Sequence, residues 1–133
     1  MVPRHGARVM LVDDDPVVLE VTRAWLEDAA FDVIVRERAI GTRAAIEEQK
    51  PDVVLLDVGM PGITGGALVS FIQYQKPTHP FGIVLYSSCN LPELTALAER
   101  CGTWGAIRKT GDRAEFMREF LRIITPHMRE TTP

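Results

Sequence analysis

Acidic residues and one lysine stand at the ends of three predicted strands, and these residue types could together hold a divalent cation. Asp13, Asp14 and Asp15 follow the first apolar run, Asp57 follows another, and Lys109 follows a third. In an open parallel sheet, ligands bind in the crevice beyond the carboxyl ends of the strands. Several aspartates gathered there would repel one another and resist ionisation unless a cation neutralised them. Oxygen ligands of this kind suit Mg²⁺ or Mn²⁺ better than zinc.

Five short apolar runs rich in β-branched residues alternate with longer amphipathic stretches, which predicts alternating strands and helices. The predicted strands are 8–13, 31–36, 53–57, 83–87 and 106–108. The predicted helices are 17–29, 41–49, 67–75, 92–100 and 113–124. This alternation over 133 residues indicates one three-layer α/β domain with a parallel sheet. The spacings leave the order of the strands open.

Local signals add detail to the first helix and the third strand. Asp15 precedes Pro16, a pairing that suits an N-cap and the first position of a helix. Apolar residues at three- and four-residue spacing predict one buried helical face, made of Val18, Val21, Trp25 and Leu26. The third strand is apolar without alternation, which predicts a central strand covered on both faces.

Composition excludes several classes of function. A net charge of -3 without a clustered basic stripe argues against direct nucleic-acid contact. No apolar run approaches the roughly 20 residues that a membrane span requires, and no signal-peptide pattern is present. The two cysteines, Cys89 and Cys101, have no paired spacing, so neither a disulfide framework nor a zinc site is indicated. We therefore expect a cytoplasmic protein with reduced thiols.

Five separated motifs together resemble the receiver domains of bacterial response regulators, the CheY-like domains of two-component signalling. They are the stretch 12–16 (VDDDP), the stretch 51–62 (PDVVLLDVGMPG), Gly65, Ser87 and Lys109. The resemblance covers about residues 7–125, which we expect to form the receiver domain between the tails 1–6 and 126–133. It implies a doubly wound, flavodoxin-like sheet of five parallel strands in the order 2-1-3-4-5.

The resemblance also implies a metal-dependent phosphoryl-transfer site. Asp57 would accept a phosphoryl group from the phosphohistidine of a histidine kinase or phosphotransfer protein. Asp14 would ligate Mg²⁺ directly and Asp13 through water, and Asp57 would share the ion. The backbone carbonyl of Gly59 would supply a further oxygen, and Mn²⁺ is an alternative ion.

Two further residues carried over from the family would read the phosphate. Lys109 would pair with a phosphoryl oxygen, and Ser87 would donate its hydroxyl to the phosphate and pass the change to the fourth helix. The signal would leave through the face of the fourth helix, fifth strand and fifth helix. Residues expected on that face are Glu93, Arg100, Trp104, Arg108, Asp112 and Arg118. A downstream protein, an attached output domain or a phosphorylation-dependent homodimer would read it, without turnover of a separate substrate.

The chain departs from the family pattern beside Lys109. The family usually has an aromatic residue at position 106, whereas this chain has Ala106, so we expect Trp104 or Tyr86 to supply an aromatic contact to the output surface. The same extended segment should place Trp104 on the face of Ala106. Thr110 stands where a proline usually follows the lysine, which leaves the Lys109–Thr110 bond either trans or strained.

Gly59 and Cys89 flank the site at positions that tend to tune phosphate loss in this family. Neither side chain offers a carboxylate or amide to orient water, which predicts a long-lived phosphoryl state. Two other classes of function stay open. One is a docking module that no longer takes phosphate, and the other is a metal-dependent phosphatase acting on small molecules. Such phosphatases typically place a second aspartate two residues after the nucleophile, where this chain has Gly59.

Overall fold

The computed structural model describes residues 6–60, 64–73 and 79–128, which form a five-stranded sheet between two layers of helices. The strands are β1 (Arg8–Val12), β2 (Asp32–Arg36), β3 (Val53–Leu56), β4 (Gly82–Ser87) and β5 (Gly105–Arg108). The helices are α1 (Pro16–Asp28), α2 (Thr42–Gln49), α3 (Gly65–Gln73), α4 (Leu91–Arg100) and α5 (Arg113–Ile124). Within these ranges, no helix is both long and apolar enough to cross a bilayer.

Each element predicted from the sequence is present, and its described ends lie within two residues of the predicted ones. The predicted end of the third helix at residues 74–75 lies outside the described residues. The same is true of Pro61 and Gly62 in the second motif, and of residues 1–5 and 129–133 in the predicted tails.

The sheet has the order β2-β1-β3-β4-β5, and every pair of neighbouring strands is parallel. Leu11 of β1 lies opposite Val35 of β2 on one side and Leu55 of β3 on the other. The predicted fold class and the strand order implied by the resemblance are therefore confirmed. All four residues of β3 are buried, as expected for a central strand covered on both faces.

Apolar side chains form two cores, one on each face of the sheet. The α1/α5 core lies between the sheet and helices α1 and α5, and it contains Leu19, Leu26, Phe116, Phe120, Ile123 and Ile124. The opposite core lies under α2, α3 and α4, and it contains Ile46, Leu68, Val69, Ile72, Leu94 and Ala98. Alternation along β3 sends Leu55 to the first core and Leu56 to the second.

Helix α1 begins as predicted, and Val18, Trp25 and Leu26 of its predicted buried face pack against the α1/α5 core. The Asp15 side chain accepts a hydrogen bond from the Val17 N–H at 2.9 Å, and Pro16 is the first helical residue. The fully buried positions are Leu19, Thr22 and Leu26. Val21 is 41% exposed, so its predicted place on the buried face is wrong. Helical spacing allows either Val21 or Thr22 to be buried. The pattern alone does not indicate Thr22, because a hydroxyl is buried only where it finds a hydrogen-bond partner.

Trp104 lies on the opposite face of the sheet from Ala106, so the predicted shared face is wrong. Trp104 packs against the α1/α5 core, whereas Ala106 packs against the other core. The indole occupies space left by Gly82 on the neighbouring strand, where an added Cβ would lie 1.9 Å from it. Trp104 also stacks on His127, a residue of the predicted C-terminal tail, at 4.1 Å between ring centroids. Because β5 begins only at Gly105, strand alternation does not extend to Trp104.

Candidate functional site

Acidic residues and Lys109 meet at the carboxyl edge of the sheet because backbone pairing continues one residue past three strands. The Asp57 N–H donates to the Val12 carbonyl at 2.9 Å, and the Lys109 N–H donates to the Ser87 carbonyl at 2.7 Å. One carboxylate oxygen from each of Asp13, Asp14 and Asp57 lies within 4.8 Å of the others. Asp13 and Asp57 are buried while Asp14 is exposed, so the cluster opens to solvent on the side of Asp14.

The backbone satisfies only part of what these carboxylates can accept. Asp57 Oδ1 accepts a hydrogen bond from the Gly59 N–H at 2.9 Å, and Asp13 Oδ1 accepts one from the Asp15 N–H at 3.0 Å. The other oxygen of Asp13, Oδ2, is buried and receives no backbone hydrogen bond in the described part of the chain. Lys109 Nζ lies 2.5 Å from it as its ion-pair partner.

Within the described ranges, Lys109 is the one basic residue that forms an ion pair with the acidic cluster. Its Nζ lies 2.5 Å from Asp13 Oδ2 and 3.7 Å from Asp57 Oδ1. A single lysine cannot neutralise three carboxylates, so the site carries excess negative charge when all are ionised.

Burial raises the pKa of the Asp57 carboxyl above its ordinary value. The Gly59 N–H and the Lys109 charge act in the opposite direction, and the neighbouring Asp13 and Asp14 charges raise the pKa further. The protein alone therefore disfavours the ionised form of Asp57, and a bound cation would favour it.

These residues fit a magnesium-type ion. The donors are carboxylate oxygens, with no imidazole or thiolate among them, and a single lysine leaves part of their negative charge for a cation to offset. Asp13, Asp14 and Asp57 would hold the ion. Gly59 contacts Asp57 through its N–H, and the predicted role of its carbonyl stays a prediction.

Ser87 lies at the end of β4 with a buried side chain that is 4% exposed. Its Oγ accepts a hydrogen bond from the Cys89 N–H at 3.2 Å, so its own hydrogen stays available for donation. Ser88 and Cys89 are exposed beside it, and Cys101 is half-buried.

Thr110 replaces the usual proline without a cis bond, since the described residues contain no cis peptide. Its Oγ1 accepts a hydrogen bond from the Asp112 N–H at 3.3 Å and lies 3.3 Å from Glu115 Oε2, to which its hydroxyl donates. Asp112 in turn caps α5 by accepting from the Glu115 N–H at 3.0 Å. Side-chain hydrogen bonds thus shape the loop that a proline would otherwise restrict.

Tyr86 is the residue near the site whose position the sequence did not indicate. Its ring is 6% exposed and contacts Phe116 of α5. A contribution of Tyr86 to the output face, which includes α5, stays a prediction. Alternation along β4 was the available signal, because it separates Tyr86 from its neighbour Leu85 in the other core. Lys109 Nζ lies over the Tyr86 ring, 5.5 Å from its centroid.

Most residues of the predicted output face are exposed. Those are Glu93, Arg100, Arg108, Asp112 and Arg118, whereas Trp104 is half-buried against the core. Their exposure is compatible with contacts to another protein, and their role in signalling stays a prediction.

Comparison with known proteins identifies the family. The family model described as the response regulator receiver domain matches residues 9–120. The chain belongs to this family. A rice (Oryza sativa subsp. japonica) relative, the two-component response regulator ORR1, is 35% identical over 113 residues. That match covers 77% of this chain and 48% of the rice protein, so the chain spans about half the length of this relative.

Solved receiver structures show the same fold. The chemotaxis protein CheY4 of Vibrio cholerae superposes with a TM-score of 0.78 at 23% identity, covering 89% of this chain and 98% of that one. The BeF₃-activated N-terminal receiver domain of Klebsiella pneumoniae RstA has a TM-score of 0.77 at 29% identity, covering 92% and 99%. The predicted recognition as a two-component receiver domain is therefore confirmed.

Proposed function

We propose that this receiver accepts a phosphoryl group on Asp57 from the phosphohistidine of a histidine kinase or phosphotransfer protein, in a Mg²⁺-dependent reaction. The observation that supports this most is the placement of a buried carboxylate within 4.8 Å of two others, with a lysine ammonium 3.7 Å away. The carboxylates of such a site ionise fully only when a cation offsets their charge. The phosphoryl group being transferred is also negatively charged, and the same cation would offset that charge.

Each residue has a distinct task in the proposed transfer. The Gly59 N–H occupies Asp57 Oδ1, which orients the carboxylate and leaves Oδ2 to form the new bond to phosphorus. The bond between phosphorus and the donor imidazole breaks, the electron pair returns to the imidazole nitrogen, and Asp57 becomes an acyl phosphate. Bound Mg²⁺ would offset negative charge on the phosphoryl oxygens.

Lys109 and Ser87 would then recognise the acyl phosphate. The Lys109 ammonium already lies between Asp13 and Asp57, so it is available to pair with a phosphoryl oxygen. The Ser87 hydroxyl accepts from Cys89 but keeps its hydrogen free for donation to the phosphate. This contact would pull on the loop that begins α4, and the α4-β5-α5 face would carry the change to a protein target, an output domain or a second copy. Gly59 and Cys89 offer no group to orient water, so the acyl phosphate would be long-lived.

Beryllofluoride binding tests the proposal, because beryllofluoride attached to a carboxylate imitates a phosphoryl group. Calorimetry on the native protein with Mg²⁺ should show binding, and Asp57→Asn should abolish it. Asp32→Asn is a matched control, since Asp32 is an exposed carboxylate paired with Arg8 at 2.8 Å and should leave binding unchanged.

Two results would contradict the proposal. Absence of binding by the native protein would favour a docking module that takes no phosphate. Binding that Asp57→Asn leaves intact would show that another group receives the ligand.

A further inference from the structure

The Lys109 side chain lies between two carboxylates and an aromatic ring. Its Nζ contacts Asp13 and Asp57, and its third neighbour is the face of Tyr86, 5.5 Å away from ammonium to centroid. A cation within about 6 Å of an aromatic centroid is attracted by the electron-rich face of the ring. A lysine has four flexible carbons, so this ring limits where the ammonium can settle.

Tyr86 itself is held in place from both helices that cover this face of the sheet. Its hydroxyl lies 3.2 Å from Thr22 Oγ1 of α1, and its ring centroid lies 5.2 Å from that of Phe116 of α5. Thr22 is 1% exposed and Phe116 is 3% exposed, so neither contact is shared with solvent. The space lined by Asp13, Thr22 and Tyr86 is too narrow to admit a water molecule. A displacement of the ring must therefore move its neighbours.

Aromatic contacts continue from Tyr86 toward the outer layer. Phe116 lies 5.6 Å from the ring of Trp25 on α1, which is half-buried. On the opposite face of the sheet, position 106 carries only a methyl group as Ala106, which cannot act as a rotating aromatic reporter. The aromatic side chains that could respond to Lys109 are thus on the α1/α5 side among the described residues.

We propose that Tyr86 positions Lys109 for the phosphoryl group and couples its movement to α1 and α5 through Thr22 and Phe116. This inference rests on the proposed function. When a phosphoryl oxygen draws the ammonium away from Asp13, the cation moves relative to the ring beneath it. The ring and its hydrogen bond to Thr22 then readjust, so occupancy of the site is reported on the α1/α5 side as well as toward α4.

Trp25 fluorescence tests this coupling directly. The chain has two tryptophans, so Trp104→Phe leaves Trp25 as the single reporter. Beryllofluoride with Mg²⁺ should change Trp25 emission in this background, while calorimetry measures binding independently. Tyr86→Leu should abolish the emission change and weaken binding about five-fold, the amount typical of a partly desolvated cation–π contact.

Conservative variants separate positioning from packing. Tyr86→Phe restores the ring and should bring affinity back to within about two-fold of the native value. Thr22→Val removes the hydroxyl without changing volume, and it should at least halve the Trp25 response while affinity is retained. Phe31→Leu is the matched control, because Phe31 belongs to the same core and contacts Phe120 at 5.5 Å but not Lys109. It should alter neither affinity nor response.

Each alternative result has a distinct meaning. Binding by calorimetry with a silent Trp25, or a Tyr86→Leu variant that behaves like Phe31→Leu, would overturn the role of Tyr86 and leave the proposed function intact. If Tyr86→Leu does not fold, an unchanged Trp25 response in Thr22→Val would overturn the coupling instead. Absence of beryllofluoride binding by the native protein would overturn the proposed function, and this inference with it.

Discussion

Replacing Asp57 with asparagine should stabilise the metal-free protein, because the native carboxylate is ionised at a cost. At an effective dielectric constant of about 20, attraction to Lys109 at 3.7 Å contributes about 4.5 kcal/mol. Repulsion from Asp13 within 4.8 Å costs about 3.5 kcal/mol or more on the same scale, and the exposed Asp14 adds a smaller repulsion. The charge terms nearly cancel, so burial decides the balance and raises the pKa of Asp57.

The sign of the pH dependence follows from this raised pKa. In the unfolded chain, Asp57 ionises near its ordinary pKa of 3.8, whereas the folded protein holds the proton to a higher pH. The stability that this group contributes is therefore fully present below the unfolded-state pKa. It falls as pH rises through the folded-state pKa, and it stays reduced at neutral pH. Asp57→Asn removes the ionisation and keeps an oxygen to accept from Gly59.

The expected gain is about 1 to 2 kcal/mol at pH 7, the usual cost of a poorly satisfied buried polar group. That gain corresponds to roughly 4 to 8 °C in Tm for a domain of this size. Thermal unfolding monitored by circular dichroism, with a chelator present, should show the difference at pH 7 and its disappearance at low pH. Added Mg²⁺ should then stabilise the native protein more than the variant, since ligand binding to the folded state raises stability.

A matched surface variant guards against a general charge effect. Asp32→Asn removes an exposed ion pair with Arg8 and should lower stability by less than about 1 kcal/mol. Equal or lower stability of Asp57→Asn at pH 7 without metal would refute the reasoning. A stability difference independent of pH would refute it as well.

Two further predictions concern packing and metal affinity. Gly82→Ala should lower the free energy of unfolding in urea by about 3 kcal/mol, since the added Cβ would lie 1.9 Å from the Trp104 indole. Gly66→Ala in α3 should raise it by up to about 1 kcal/mol, because the nearest neighbour of the added Cβ is 3.7 Å away. Equal effects of the two glycine variants would contradict this packing. Lys109→Met should strengthen Mg²⁺ binding at least about five-fold by calorimetry, because the ammonium no longer competes for Asp13, and should abolish beryllofluoride binding. Unchanged or weaker Mg²⁺ affinity would contradict it.

The sequence predicted the elements and their class because the relevant signals are local. The Asp15–Pro16 pair marks the start of α1 within one residue, and the unbroken apolar run of β3 identifies a central strand. The sequence also predicted that Asp13, Asp57 and Lys109 lie close together. Each follows a parallel strand, and the carboxyl ends of parallel strands lie at the same edge of the sheet. Strand order needed the family resemblance, because neither spacing nor composition distinguishes one doubly wound order from another.

What the sequence did not predict depends on contacts between distant segments. Trp104 takes its place because Gly82, on the neighbouring strand, has no side chain. Thr22 is buried because the Tyr86 hydroxyl, 64 residues away, gives it a hydrogen-bond partner. Helical spacing equally allowed Val21 in its place.

Direct phosphorylation tests the central proposal. The native protein is incubated with Mg²⁺ and a small acyl phosphate donor such as acetyl phosphate, and intact-mass spectrometry then measures its modification. Borohydride reduction and peptide mapping locate the acyl phosphate. Mg²⁺-dependent gain of one phosphoryl group at Asp57, absent from Asp57→Asn and retained in Asp32→Asn, is the predicted result. A native protein that stays unmodified under both acetyl phosphate and a phosphohistidine donor, or that carries the group on another residue, would contradict it.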